Sequence, residues 1–158
     1  MLEFSQAGAA VAATSATLEK TRTLGAYFRT LSEDDLRRAA VYMSGRAFPP
    51  SQRRTLGLGW STVNKVISSL SRHDEDELGD IFRKHSDLGD WAGEALDGAT
   101  EPQPVSLAEV EATLEAIRTA RGNAKSKPLE ALLRRLDPAS ARFFIKILSG
   151  EMRKSNRG

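Results

Sequence analysis

Residues 129–150 read LEALLRRLDPASARFFIKILSG, and residues 24–45 read LGAYFRTLSEDDLRRAAVYMSG. Displaced by 105 positions, the two stretches align without a gap. Leu24, Ala26, Arg29 and Leu31 fall on Leu129, Ala131, Arg134 and Leu136; Arg37 falls on Arg142, and Ser44-Gly45 on Ser149-Gly150. Ser32 falls on Asp137, and both are side chains that accept from the free amides at a helix start. Lys20 and Arg22 precede the first stretch where Lys125 and Lys127 precede the second. The apolar residues recur at helical spacing, so each stretch is expected to be a helical hairpin with a basic leading edge and a Ser-Gly ending.

The rest of the chain keeps the same period. Leu18, Leu24, Tyr27, Phe28 and Leu31 form one stripe over 15–31, and Ser32 with Asp35 opens a helix through Leu36, Ala40 and Met43 toward Gly45. Ser61 can cap a helix carrying Val63, Val66, Ile67 and Leu70. Leu78, Ile81 and Phe82 mark another, and Leu88, Trp91, Ala92 and Ala95 a further one. Ser106 with Glu109 starts a helix to about Ala120, followed by Gly122. Pro128 and Pro138 suit first helical positions. AGAAVAA at 7–13 promises only a weak first helix. No stretch alternates as a strand. The expectation is one compact all-α domain of two pseudo-symmetric halves, approximately 1–97 and 106–153, joined by the linker GATEPQPV at 98–105.

Bulk properties narrow the function. The 158 residues suffice for one apolar core, and 40% hydrophobic with 28% charged residues describes a globular protein. There is no cysteine, which excludes disulfides, thiolate nucleophiles and cysteine-bound zinc. No apolar run approaches the roughly 18 residues of a membrane-spanning helix, and no basic segment precedes an apolar one as in a secretory leader. A cytoplasmic monomer is expected, nucleoid-associated if the source is bacterial or archaeal. Net charge is +2 and the isoelectric point about 9.1. Basic residues nevertheless cluster at 46–54, 118–127, 134–135 and 153–157, away from acidic clusters at 33–35, 74–80, 87–101 and 109–115, a separation that suits either ordinary solvated helix faces or one electropositive face.

No catalytic or metal site assembles. His73 and His85 are the only histidines and lack the HxxxH or HxxE spacing of metal ligands. DEDE at 74–77 lacks the alternating ligands and glycine of a calcium loop, and suits the start of a helix instead. GLG at 57–59 has neither the dinucleotide nor the P-loop continuation.

Phosphate binding fits better, because it needs cations, small hydroxyls and free backbone amides at helix starts. GLGWSTVNK at 57–65 supplies all three, RGNAKSK at 121–127 repeats the ingredients, and GEMRKSNR at 150–157 adds glycine and cations at a helix end. The duplication itself suits a partner with two related strands, such as duplex DNA. Phe48 and Trp60 offer apolar contacts, either to a groove or to the core, and Trp91 serves packing. A helical protein-interaction adaptor without nucleic-acid binding is the alternative.

The run from SGRAFPP through LGLGWSTVNKVI, then DLGD at 87–90, the proline-containing linker, SLAEVEATLEAI, and finally KSKPLEALLRRL and ARFFIKILSGEMR together resemble the N-terminal DNA-binding domain of ATP-dependent DNA ligases. The resemblance implies an all-helical module that binds nicked duplex DNA across the minor groove, independently of sequence. It would hold the ends for a catalytic domain, in the same polypeptide or as a partner, in repair, replication and recombination. By motif it assigns DNA contacts to Arg46, Gly57, Gly59, Ser61 and Lys65 in the first half. In the second half it assigns them to Gly122, Lys125, Lys127, Gly150 and Arg153. No lysine here is followed by x-Asp-Gly, the family's AMP-accepting motif. The resemblance therefore places adenylate transfer, with its ATP and magnesium, outside this chain, which is itself not expected to be an enzyme. Where the family continues Arg-Ile-Gly, this chain reads Arg153-Lys154-Ser155, as a fragment or a free-standing protein would.

Overall fold

The computed structural model describes residues 1–14, 16–52 and 54–155, the side chains of the last helix to Met152. Its described residues form nine α-helices, one 3-10 turn and no strand. In chain order they are α1 (Leu2–Ala12), α2 (Thr17–Phe28), α3 (Glu33–Met43), α4 (Trp60–Leu70), α5 (Glu75–His85), α6 (Leu88–Leu96), α7 (Leu107–Thr119), the 3-10 turn Gly122–Lys125, α8 (Ser126–Leu133) and α9 (Pro138–Ser155). The fold is all-α, as expected. α2 ends at Phe28 and α3 begins at Glu33; α8 ends at Leu133 and α9 begins at Pro138, the same positions 105 residues on.

Side-chain caps set most boundaries. Ser32 accepts from the Asp35 amide at 3.2 Å, and Asp87 from the Asp90 amide at 2.9 Å. Asp74 with Glu77 and Ser106 with Glu109 form reciprocal capping boxes. Asp137 accepts from both the Ser140 amide and its hydroxyl at the start of α9. Two starts differ from expectation. α4 is capped by Gly59, so Ser61 lies inside the helix, because burying Leu58 brings the chain to the helix two residues early. α8 begins at Ser126, leaving Pro128 third, because the 3-10 turn already winds the chain.

One continuous apolar cluster runs from Met1 to Leu148 and includes Phe4, Tyr42, Phe48, Ile67, Trp91, Leu114, Leu133 and Phe144. Phe48 is thus a core residue, and Trp91 is buried with its indole N–H donating to the Leu78 carbonyl at 3.0 Å. Three expected core residues face outward. Leu18 is 62% exposed and Leu36 39%, while Phe82 lies at the surface against Trp91. In α3 the buried face is Ala39 and Tyr42, offset from Leu36 and Ala40.

α9 packs most extensively on α6. A β-carbon on Gly89 would stand 2.7 Å from the Arg142 carbonyl oxygen and 2.5 Å from Lys146 Cγ, so only glycine permits this approach. The DLGD run is the clamp: Asp90 pairs with Arg142, and Asp87 lies 3.6 Å from Lys146. Burial opposes the charge on Asp87, but the Asp90 amide and Lys146 outweigh it and hold its carboxyl below the ordinary value. Linker 98–105 lies along the end of α8, with the Glu101 and Gln103 amides donating to the Arg134 and Arg135 carbonyls at 2.9 Å.

Candidate nucleic-acid interface

Residues 56–59 alternate. Leu56 and Leu58 are buried, whereas Gly57 and Gly59 face outward. Gly57 has φ +62°, a conformation that favours glycine, and no atom lies within 4 Å of where a β-carbon on Gly59 would stand. The leucines anchor the segment while the glycines leave its backbone bare. α4 follows directly. It has no side-chain cap and no acidic residue in its first turn, in contrast to α3, α5, α6 and α7. Its first amides, the exposed Ser61 and the exposed Lys65 one turn on can all accommodate an anion.

The second basic segment comes to the same place. The Lys125 ammonium donates to the Leu56 carbonyl at 2.9 Å and to the Ile117 carbonyl at 2.7 Å, with the Arg118 carbonyl at 3.4 Å. Its Nζ is 3.5 Å from where a Gly57 β-carbon would be. Lys125 therefore pins the glycine segment to the C-terminus of α7, its cation satisfying carbonyls that the helix leaves free. Burial, reinforced by Arg118, pushes its pKa below the ordinary lysine value. Lys127, two residues on, is exposed, and Gly122 at φ +57° makes the turn into the 3-10 segment.

Arg46 and Gly150 meet in a separate cleft of about 830 Å³, whose lining includes the basic Arg46 and Lys146 and also the acidic Asp87 and Glu151. Here the two Ser-Gly endings touch. Buried Glu151 accepts from the Ala47 amide at 3.0 Å, and its other oxygen has no hydrogen-bond partner among the described residues. The side chain of Arg153 lies outside the described residues.

The structure thus joins the segments 56–59 and 121–127 through Lys125, with Ser61 and Lys65 on the helix that follows the first and Gly122 and Lys127 flanking Lys125 in the second, and it places Arg46 with Gly150 at a separate cleft. It also shows basic groups that the motifs did not single out. Lys146 enters this cleft from α9, whereas Arg54 and Arg118 flank the joined segments. Local sequence signals could not have paired Arg54 with α7, since its partner lies 61 residues away.

Among the described residues, no group of three or more histidine, aspartate or glutamate side chains could hold a metal ion. His73 lies 3.1 Å from Glu77, and His85 3.1 Å from Glu94, each an isolated polar pair. Among the described residues, no helix is long and apolar enough to cross a membrane.

The family model described as "DNA ligase N terminus" matches residues 1–155. A protein described as a probable DNA ligase from Koribacter versatilis is 32% identical over 91% of this chain, which covers 25% of that protein. A second, from Opitutus terrae, is 30% identical over 95% of this chain and 18% of its own length. DNA ligase 1 of Korarchaeum cryptofilum is 29% identical over 96% of the chain and 28% of its own length. The chain spans about a quarter or less of the first two curated relatives it matches.

Proposed function

Because the chain belongs to the family of DNA ligase N-terminal domains, we propose that it binds nicked or intact duplex DNA through the sugar-phosphate backbone and positions the ends for a catalytic domain. That domain, in cis or in trans, would supply the ATP- and magnesium-dependent adenylate chemistry. The observation that carries the reading is the loop at 56–59. Bare glycine backbone, an uncapped helix start, Ser61 and Lys65 follow one another on a segment that Lys125, two residues before the exposed Lys127, holds through the Leu56 carbonyl.

Such contacts address phosphates and sugars, so binding is expected to be indifferent to base sequence and sensitive to salt. If about five to seven phosphates are neutralised, the slope of log affinity against log salt is about −4.5 to −6. Fluorescence anisotropy of a labelled nicked duplex, titrated at several salt concentrations, measures that slope. An intact duplex in parallel reports preference for the nick. Absence of binding at low salt, or a flat salt dependence, would return the protein to the adaptor reading, for which the exposed Trp60 and Phe82 would be the starting surface.

A further inference from the structure

α7 carries Glu111 and Glu115 one turn apart, and four arginines converge on them. Arg37 and Arg38 reach Glu111 at 3.3 Å. Arg54, from the connection between α3 and α4, reaches Glu115 Oε2 at 3.3 Å. Arg118 grips the same carboxylate from one turn on, its Nε 3.2 and 3.1 Å from the two oxygens and its Nη2 closing the fork. A cavity of about 410 Å³ separates the connection from α7, with Phe48, Pro49 and Arg54 on one wall and Glu111 and Glu115 on the other.

Two guanidinium groups from separate segments therefore close on one carboxylate, Arg118 in the forked geometry that guanidinium also offers a phosphate and Arg54 through a single contact. Arg54 lies two residues before Leu56, whose carbonyl Lys125 holds, and Arg118 offers its own carbonyl to the same ammonium. The backbones that carry both arginines thus adjoin the glycine loop through Lys125. The Glu115 pairing is also weakly held. The side chains of Arg54, Glu115 and Arg118 are 43%, 42% and 32% exposed, so solvent screens them and exchange of partners costs little.

The geometry points to a phosphate subsite formed by Arg54 and Arg118, which Glu115 fills in the free protein and a backbone phosphate of DNA takes over on binding. The inference rests on the DNA-binding reading. Glu115 acts as a built-in competitor. It keeps the arginines oriented and lowers the affinity for stray anions, and its displacement makes close seating of the strand a condition for full binding. A purely structural ion pair would behave differently: its loss would weaken the fold and leave the DNA affinity unchanged or reduced.

The test is the anisotropy titration of nicked duplex with wild type, Glu115→Gln and Glu115→Ala, circular dichroism confirming helicity. Both variants are expected to bind about two- to fivefold more tightly, the range implied by loss of one screened ion pair. Asp80→Asn removes the same charge from α5 and likewise releases an arginine, Arg83, so it reports the effect of net charge and of a freed guanidinium away from the glycine loop. Arg54→Gln with Arg118→Gln is expected to make the salt slope less negative by roughly 0.9, one phosphate's share, and to abolish the gain from Glu115→Gln in a double-mutant cycle. Wild-type binding with no gain in either Glu115 variant, or a gain no larger than that of Asp80→Asn, overturns the subsite alone. No wild-type binding at low salt overturns the DNA reading and the subsite together.

Discussion

Gly150 in α9 lies against the backbone of Gly45, so closely that a β-carbon at position 150 would stand 2.5 Å from the Gly45 carbonyl oxygen. The glycines that end the two related stretches are thus in contact, though for different reasons. Gly45 needs its freedom to reach φ +79° and has open space around it, whereas Gly150 sits inside a regular helix and needs the space. Gly150→Ala is expected to cost about 1–3 kcal/mol by forcing the 44–47 turn off α9. Gly45→Ala should cost about 1–2 kcal/mol through backbone strain alone. Urea denaturation measures both. Because Glu151 anchors the same turn through the Ala47 amide, Gly150→Ala should also expose that amide to faster hydrogen exchange.

The aromatic cluster separates burial from contact. Trp91 is 3% exposed, and its ring lies 5.6 Å from that of Trp60 and 6.4 Å from that of Phe82. Trp91→Ala is expected to lose about 3–5 kcal/mol, as for other large buried rings. Trp60→Ala gives up mainly one ring pair, about 0.5–1.5 kcal/mol, since more than a third of Trp60 already faces water. Comparable losses from the two substitutions would show that Trp60 carries part of the core.

Acid should loosen the fold through its paired carboxylates. Glu109 is held below its ordinary value of 4.5 by the Ser106 amide and then by Arg135. Glu77 is lowered by His73 and the Asp74 amide, and Glu94 by Lys84 and His85. A carboxyl with a depressed folded pKa binds protons more readily when unfolded. Its stabilisation is therefore complete above the unfolded value and lost as pH falls through the folded one. Urea midpoints should hold from neutral pH to about 5 and then decline toward about pH 3. Glu109→Gln is expected to make that decline shallower; an unchanged acid limb would remove Glu109 from the account.

Some of this fold can be read locally and some cannot. Ser32, Ser106 and Asp137 announce helix starts because donor and acceptor lie within three residues of each other, as they also do at Asp87, which the apolar pattern alone marks. The start of α4 escapes such reading. Leu56 and Leu58 are drawn into a core built from distant helices, and that long-range pull moves the cap from Ser61 to Gly59. Leu18 and Leu36 sit on apolar stripes, but nothing in the sequence says which side of a short helix its neighbours will cover. Motifs gathered the segments of the candidate interface but could not orient the side chains within them.

Lys125 and Lys127 make that last distinction measurable. Both are basic, both fall in RGNAKSK, and sequence alone assigns them one role. In the structure Lys125 turns inward to the carbonyls of Leu56 and Ile117, whereas Lys127 faces water. Lys125→Met leaves those carbonyls without their donor and is expected to cost about 1–3 kcal/mol of stability, loosening the glycine loop with it. Lys127→Glu should leave the urea midpoint almost unchanged. On nicked duplex it should weaken binding alike for all sequences and make the salt slope less negative by roughly 0.9 to 2. A fully folded Lys125→Met protein with wild-type stability would show that the loop is held by its leucines alone. A Lys127→Glu protein with wild-type affinity would take α8 out of the DNA interface.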